Sequence, residues 1–382
     1  MEHYNIACVI GTRPEALKMI PLINCLQQHP QIKVDVIITG QHRELLTQIL
    51  EQEGFFEFTN FSVMAENQTL NKLSSNLFHH FDEYFKKHAF NMVIAQGDTT
   101  TTCIAAMAAF HLKIPFAHIE AGLRTTAVNN PFPEEFNRRI ATLAATLHFC
   151  PTEYAANNLY QEGIHNHVYV TGNTIIDMLY RYARDRVSIP FNGRKLILVT
   201  CHRRESFGEP LKKICAAILH LAEKHPYFDF LFPVHPNPNV KQIVIEKLSN
   251  VPNIDLTPPL TYQQLVDHLN ASWLVLTDSG GIQEEAPALN KPVLVLRHET
   301  ERPEAVVWGA SRLVGTETNH IVEQVEQLLN TPEEYERMAH AGSPYGDGKA
   351  APRITEIILD YLGIPVISND YPRMEQYEYI GA

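Results

Sequence analysis

Acidic side chains follow short apolar runs in the first part of the chain, at the points where those runs end. Asp98 and Glu120 each come within two residues of such a run. Glu134 and Glu135 follow a proline at the start of a polar segment. Singly, each fits a structural role, because Asp98 suits a helix N-cap and glutamates suit a first helical turn. Several carboxylates in one domain could instead act as general base and acid.

Two turns combine glycine with basic side chains after an apolar run. In the first, Gly11 ends the run, and Arg13 and Lys18 follow it with a proline suited to a first helical turn. In the second, His202 and Arg203 follow the run at residues 195–200. Cations and backbone N–H groups at a helix start attract an anion such as phosphate. An ordinary turn and a solvated basic loop remain alternatives.

A third turn suggests where a nucleotide would lie. Ser279, Gly280 and Gly281 follow an apolar run and open a predicted helix, which is typical of a backbone phosphate cradle. Glu285, about one turn into that helix, could accept both ribose hydroxyls. With the turn at residues 11–18, the pattern predicts a nucleotide diphosphate between two domains. The chain lacks HExxH-type spacing, so we predict no metal.

These turns need a sheet to position them, and the apolar runs supply one twice. Short runs of this kind are typical of strands buried on both faces of a parallel sheet, with longer segments such as residues 44–52 and 101–111 predicted as helices. The predicted strands are residues 6–10, 34–39, 92–96, 114–119, 147–150 and 168–171, then residues 195–200, 228–234, 254–257, 273–277, 293–296 and 312–314. We therefore predict two doubly wound α/β domains at residues 1–180 and 194–363, a linker at 181–193 and a tail at 364–382.

Composition excludes several other classes. The 382 residues are 45% hydrophobic and 19% charged, with a formal net charge of −12. A disordered chain would be less hydrophobic, and an acidic chain is poorly suited to nucleic acid. No apolar run is long enough for a membrane span, and the first residues do not resemble a secretory signal. Six scattered cysteines without a CxxC pair suggest buried thiols. We expect a cytoplasmic protein.

Seven motifs in order give the chain a family resemblance. They are Gly-Thr-Arg-Pro-Glu-Ala, Gly-Asp-Thr-Thr-Thr-Thr, His-Ile-Glu-Ala-Gly-Leu-Arg-Thr, Pro-Glu-Glu-x-Asn-Arg, His-Arg-Arg-Glu-Ser-Phe-Gly, Asp-Ser-Gly-Gly-Ile-Gln-Glu-Glu-Ala and Glu-Arg-Pro-Glu-Ala. Over residues 5–362 the chain closely resembles bacterial non-hydrolysing UDP-N-acetylglucosamine 2-epimerases. The resemblance implies a GT-B-like fold with two Rossmann-like domains, usually as a homodimer, and no cofactor. It also implies interconversion of UDP-GlcNAc and UDP-ManNAc for surface polysaccharide synthesis.

The resemblance also assigns roles to residues. It implies a catalytic set of Asp98, Glu120, Glu134 and His202. Which carboxylate removes the C2 proton and which delivers it stays open, as does whether Lys18 supports Asp98 or Glu120. The implied substrate-binding residues are Arg13, Lys18, Arg138, His202, Ser279, Gly280, Gly281, Glu285 and Arg302.

Family members often bind a second UDP-GlcNAc as an allosteric activator. The corresponding positions are Gln41, Glu44, Asn67, Glu135, Arg203 and His235. Glu44 stands where glutamine is frequent, and Asn67 stands where arginine is frequent. Because an arginine binds pyrophosphate with charge-assisted bidentate bonds, we expect weaker allosteric activation here.

Three other functions remain open. A hydrolysing epimerase, which releases ManNAc and UDP, shares the fold and the three carboxylates. A GT-B glycosyltransferase would need an acceptor, and its chemistry does not call for these carboxylates. A non-catalytic nucleotide-sugar sensor would differ only by lacking turnover.

Overall fold

The first of two parallel sheets has seven strands. The computed structural model describes residues 3–40, 43–63, 65, 68–184, 193–203 and 206–365. The strands of this sheet lie in the order β3-β2-β1-β4-β5-β6-β7. They are β1 (Tyr4–Ile10), β2 (Ile32–Ile38), β3 (Thr59–Asn60), β4 (Met92–Gln96), β5 (Phe116–Ile119), β6 (Leu147–Cys150) and β7 (Val168–Val170).

The second sheet has six strands and repeats the same winding. Their order is β10-β9-β8-β11-β12-β13. They are β8 (Lys195–Thr200), β9 (Phe228–Pro233), β10 (Ile254–Thr257), β11 (Leu274–Thr277), β12 (Val293–Val295) and β13 (Ser311–Leu313). All twelve predicted strands are confirmed within about two residues at their ends. The two-residue strand β3 was missed, because so short a segment carries no apolar run.

Helices cover both sheets. They are α1 (Arg13–Gln27), α2 (Arg43–Gln52), α3 (Leu70–His88), α4 (Thr100–His111), α5 (Glu134–Ala144), α6 (Glu153–Gln161), α7 (Thr174–Arg184), α8 (Glu209–Lys224), α9 (Pro238–Leu248), α10 (Tyr262–Ala271), α11 (Gly280–Ala288), α12 (Pro303–Trp308), α13 (Thr318–Asn330), α14 (Pro332–Ala339) and α15 (Ala350–Tyr361). Both predicted helices are confirmed, as α2 and α4. None of the helices in the described ranges is long and apolar enough to span a membrane.

The connection between the sheets differs from a simple linear division of the chain. Helix α7 continues through Arg184, so the first four residues of the predicted linker are helical, and residues 185–192 lie outside the described part. Helix α15 packs against α1 and α7, beside the first sheet. Apolar side chains of α15 such as Ile354 and Ile358 complete that core. Linear order predicts no such return of the chain, and the domain boundaries themselves stay a prediction.

Direct contacts join the two sheets around α7 and the ends of β6 and β7. The Thr152 hydroxyl donates to Glu304 Oε1 at 2.6 Å. The Tyr180 hydroxyl donates to the carbonyl of Ala288 at 3.2 Å. Helix α7 also packs against α10 and α11. The carboxyl ends of the two sheets therefore meet at a shared cleft.

Candidate functional site between the sheets

The winding of each sheet reverses at one point, and the candidate residues gather there. In the first sheet the reversal lies between β1 and β4, and in the second between β8 and β11. Ligands of doubly wound sheets bind beyond the strand ends at these points. Lys18 and Asp98 follow β1 and β4, and His202 and Ser279 follow β8 and β11. The fold thus brings the predicted turns together.

The first turn is not an open phosphate cradle. The N–H groups of Gly11 and Thr12 both donate to Glu15 Oε2 at 2.6 Å. Glu15 Oε1 accepts from the Thr99 hydroxyl at 2.6 Å, and burial raises the pKa of Glu15 despite these hydrogen bonds. A capping glutamate therefore occupies two of the N–H groups at this turn, and anion binding at residues 11–18 stays a prediction. Arg13, the first residue of α1, is half-buried beside this turn.

Lys18 contacts Glu120, one of the two carboxylates, with Asp98, that the sequence left as its possible partners. Lys18 Nζ is 2.5 Å from Glu120 Oε2, and the Gln96 amide donates to the same oxygen. Burial opposes the charge of Lys18, but the Glu120 and Glu284 carboxylates outweigh it and raise its pKa. Glu120 itself has a positive φ of 66°, in a region of backbone strain that functional residues often adopt.

Asp98 forms a separate pair with Arg138. The N-cap of α4 is Thr99, whose hydroxyl accepts from the N–H of Thr102 at 3.2 Å, so Asp98 is not the helix cap. Its carboxylate is instead bound to Arg138 and stays about one quarter exposed. The Asp98 carboxylate is therefore partly exposed while it stays paired with Arg138.

A buried histidine fixes the turn that carries Asp98. His118 Nε2 lies 2.7 Å from the carbonyl oxygen of Gly97. Burial lowers the pKa of His118 to about 4, so the ring is neutral and donates this hydrogen bond. His118 was not among the predicted site residues, because a histidine inside a strand has no distinctive pattern.

Glu134 and Glu135 open α5 as predicted, but their environments differ. Glu134 is half-buried at the helix start. Glu135 is fully buried, with Oε2 3.2 Å from Arg138 and Oε1 2.8 Å from Arg139. Glu134 is thus the more accessible of the two, and the predicted allosteric Glu135 supports Arg138 in this conformation.

The basic turn after β8 is held by a buried aspartate that the sequence analysis missed. Asp278 accepts from the N–H groups of His202 at 3.0 Å and Arg203 at 2.9 Å, and from the Ser206 hydroxyl at 2.8 Å. Partial burial lowers the pKa of His202 more than Asp278 raises it. The His202 ring is therefore neutral at pH 7 and offers a hydrogen bond rather than the predicted positive charge. It stacks on the His235 ring, with the two ring centroids 6.0 Å apart.

The turn after β11 is open to an anion, unlike the turn after β1. The Ser279 side chain does not cap α11, so the first N–H groups of that helix remain able to donate hydrogen bonds to a ligand. A Cβ on Gly280 would lie 2.5 Å from a terminal nitrogen of Arg302, so only glycine lets this guanidinium lie against the turn. The start of α11 and the Arg302 guanidinium thus lie side by side, an arrangement suited to an anion, and the diphosphate site here stays a prediction.

Glu285 is buried beside this turn in an unusual state. Burial and the neighbouring charge of Glu284 raise its pKa to about 8, although Lys18 and the Tyr262 hydroxyl oppose the shift. Its Oε2 atom is buried without a hydrogen-bond partner among the described residues. The carboxyl group is thus available to a hydroxyl-bearing ligand, as the predicted ribose contact requires.

Lys18, Glu120, Glu284 and Arg302 form one buried cluster across the two sheets. Arg302 Nε lies 2.5 Å from Glu284 Oε1, and Lys18 Nζ lies 3.5 Å from Glu284 Oε2. Glu284 was not among the predicted site residues, because its neighbour Glu285 accounted for the acidic pair.

The remaining predicted positions are in part outside the description. Gln41, Asn67 and the side chain of Glu44 lie beyond the described residues. His235 is exposed next to His202, and the N–H of Asn237 donates to His235 Nδ1 at 3.2 Å. Within the described ranges, no group of three or more His, Cys, Asp and Glu side chains could hold a metal ion.

Comparison with known proteins identifies the family of the chain that carries this site. The sequence model described as UDP-N-acetylglucosamine 2-epimerase matches residues 24–359. The enzymes of that name from Neisseria meningitidis serogroup A and Escherichia coli K12 are 45% and 43% identical, covering 93% and 92% of this chain and 99% and 98% of their own. The crystal structure of the Neisseria meningitidis enzyme bound to UDP-GlcNAc covers 93% of this chain and 100% of its own, with a TM-score of 0.89 and 45% identity. The expected GT-B-like architecture is confirmed, and the chain belongs to the UDP-N-acetylglucosamine 2-epimerase family.

Proposed function

We propose that the protein interconverts UDP-GlcNAc and UDP-ManNAc without net hydrolysis, which supplies ManNAc units for surface polysaccharides. The observation that carries this proposal is the buried cluster of Lys18, Glu120, Glu284 and Arg302, next to the open N-terminus of α11. One side of the cleft offers carboxylates to a sugar, and the other offers cations and N–H groups to a diphosphate. The related enzyme crystallised with UDP-GlcNAc supports the same substrate class.

The proposed chemistry is elimination followed by re-addition. A carboxylate takes the C2 proton while the C1–O bond breaks, and that bond's electron pair leaves with UDP. The C2–H electron pair forms the C1=C2 double bond of 2-acetamidoglucal. A proton then adds to C2 from the other face, and UDP re-forms the C1–O bond. Asp98, Glu120 and Glu134 are the proposed acid, base and sugar-stabilising groups.

The leaving group needs its charge stabilised as it departs. We assign this role to Arg302 and the first N–H groups of α11, with a hydrogen bond from His202 and further charge from Arg13. Glu285 is assigned to the ribose hydroxyls. Arg138 holds the Asp98 carboxylate in place through their ion pair. In this proposal the carboxylates come from the half with the first sheet, and most of the diphosphate contacts come from the half with the second sheet.

Following the reaction from both sides tests the proposed activity. Purified protein given UDP-GlcNAc or UDP-ManNAc separately should reach the same final ratio of the two nucleotide sugars, measured by chromatography. Free ManNAc formed with an equal amount of UDP would instead indicate a hydrolysing epimerase. An unchanged substrate would favour a glycosyltransferase or a sensor.

We also propose weakened allosteric activation by UDP-GlcNAc. Arg203 lies at the turn after β8, with its guanidinium 3.2 Å from Glu301, and His235 is exposed nearby. The initial rate should rise sigmoidally with UDP-GlcNAc concentration, and Arg203→Ala should make the curve hyperbolic with the maximal rate lowered. A hyperbolic wild-type curve would contradict the proposal.

A homodimer is the assembly we propose. Helices α4 and α5 pack against each other and carry exposed apolar side chains, among them Phe110, Phe136 and Leu143. A second copy would cover this surface, since exposed apolar patches often mark interfaces. Light scattering should then give twice the mass of one chain.

A further inference from the structure

Glu284 belongs to the second sheet but contacts residues from both halves of the cleft. It is on α11 and only 1% exposed. Arg302 Nε lies 2.5 Å from its Oε1, whereas Lys18 Nζ at 3.5 Å and Asn173 Nδ2 at 3.2 Å approach its Oε2. Lys18 and Asn173 come from the part of the chain that builds the first sheet. One buried carboxylate therefore ties both halves together.

The four charges divide into two short pairs with two longer cross-contacts. Lys18 is 2.5 Å from Glu120, and Arg302 is 2.5 Å from Glu284. The crossed distances are longer, with Lys18 3.5 Å from Glu284 and Arg302 3.8 Å from Glu120. Glu120 is thus bound closely by one cation and only approached by the other. Because Glu284 binds Arg302 closely, Lys18 is the closer of the two cations to Glu120.

The other partners of Arg302 do not substitute for Glu284. A terminal nitrogen of Arg302 also lies 2.7 Å from Glu301, but Glu301 is shared with Arg297 at 2.8 Å and Arg203 at 3.2 Å. Burial opposes ionisation of Glu301, and Arg302 and Arg297 outweigh it to hold its pKa well below the usual range. Without the charge of Glu284, Lys18 and Arg302 would both turn to Glu120, because unpaired buried charges are costly.

We propose that Glu284 is a positioning residue for the epimerisation: it draws Arg302 away from Glu120 and fixes Lys18, so that the Glu120 carboxylate stays free to face the sugar. This inference rests on the proposed function. It assigns Glu284 no contact with substrate. Its effect is carried by Lys18, Glu120 and Arg302, which makes it distinct from the ribose role of its neighbour Glu285.

The test is steady-state kinetics of Glu284→Gln, a variant of the same shape without the charge. We expect kcat to fall by about 10-fold or more while KM for UDP-GlcNAc changes by less than about 3-fold. The affinity of Glu284→Gln for UDP-GlcNAc should also begin to fall at a lower pH than the affinity of the wild-type protein. Glu284 helps to raise the pKa of Glu285, which faces Lys18 and Tyr262 as well, so removing the Glu284 charge lowers that pKa. This pH shift reports the loss of the Glu284 charge alone, whereas a fall in kcat at a nearly constant KM is the result that a purely structural role would not produce.

Two further variants keep the test decisive. Glu304→Gln removes another buried carboxylate that joins the two halves, through Thr152, and should leave kcat within about 3-fold of wild type. Glu284→Asp keeps the charge but is too short to reach Lys18 and Arg302 together, so its kcat should fall by about 3-fold or more with an unchanged pH dependence. That variant decides the question even if Glu284→Gln does not fold.

The outcomes separate this inference from the proposed function. Wild-type kcat in either Glu284 variant would overturn the positioning role while epimerisation by the wild-type protein stands. Equal losses of kcat in Glu304→Gln and Glu284→Gln would also overturn it. The loss would then follow from removing any contact between the halves, and Glu284 would have no particular role. No epimerisation by the wild-type protein would overturn the proposed function itself.

Discussion

Replacing Glu120 by glutamine should lower kcat for the epimerisation of UDP-GlcNAc by about 1000-fold, the effect expected when a positioned acid or base is lost. The amide has the shape of the carboxylate but can neither take a proton nor carry the charge that balances Lys18 at 2.5 Å. KM should change much less, because most of the proposed diphosphate contacts lie on the other half of the cleft. Initial rates measured by chromatography, with thermal unfolding as a check of folding, provide the comparison.

A control for this variant exists in the same half of the molecule. Glu162→Gln removes an ion pair to Arg124 at 2.7 Å, away from the cleft, and should keep kcat within about 3-fold of wild type. If Glu120→Gln kept more than about one tenth of the wild-type kcat, Glu120 would be a structural partner of Lys18 and not a catalytic group.

The binding of UDP-GlcNAc should strengthen as pH rises toward 8 and level off above it. Glu285 has a pKa of about 8 in the free protein and must be ionised to accept two ribose hydroxyls. Below that pKa, each pH unit should weaken binding by about 10-fold, because the proton must first be removed. Calorimetry in the Glu120→Gln background measures this binding without turnover. UDP-GlcNAc suits the test, because its diphosphate is doubly esterified and does not titrate in this range.

The same carboxyl group makes folding stability depend on pH. The pKa of Glu285 is about 8 in the folded chain and has a reference value of 4.5. Between these values the folded state holds a proton that the unfolded state has lost, so stability falls as pH rises through this window. Glu285→Gln should therefore raise the unfolding temperature near pH 8 and change it little below about pH 4.5. It should also abolish the pH dependence of UDP-GlcNAc binding. Persistence of that dependence in Glu285→Gln would show that another group titrates.

The sequence was informative wherever local chemistry repeats a general rule. Buried parallel strands appear in a sequence as short apolar runs, so β1 and β11 could be placed from the positions of those runs alone. The Ser279–Gly280–Gly281 turn was recognisable, because glycine permits the close approach that Arg302 makes there. Sheet winding then brings residues as distant as Lys18 and Glu284 to one cleft.

What the sequence could not predict depends on which partner a polar group finds in space. Glu15 looked like an unremarkable first-turn residue, yet it occupies the N–H groups that a phosphate would need. Asp278 appeared to be part of a glycine turn, yet it holds the backbone of His202 and Arg203. Burial decides that His202 is neutral, and burial follows from packing. Such choices are made by tertiary contacts that no residue spacing encodes.

Proton NMR of UDP-GlcNAc incubated with the wild-type protein in deuterated water, without added metal or NAD, tests the central claim most directly. The account predicts that both UDP-GlcNAc and UDP-ManNAc acquire deuterium at C2, because every turnover removes that proton and returns one from the solvent. Wild-type protein and Glu162→Gln should exchange at similar rates, and Glu120→Gln should exchange at most slowly. Epimerisation with the original hydrogen retained at C2 would contradict the proposed elimination, and no reaction at all would contradict the proposed activity.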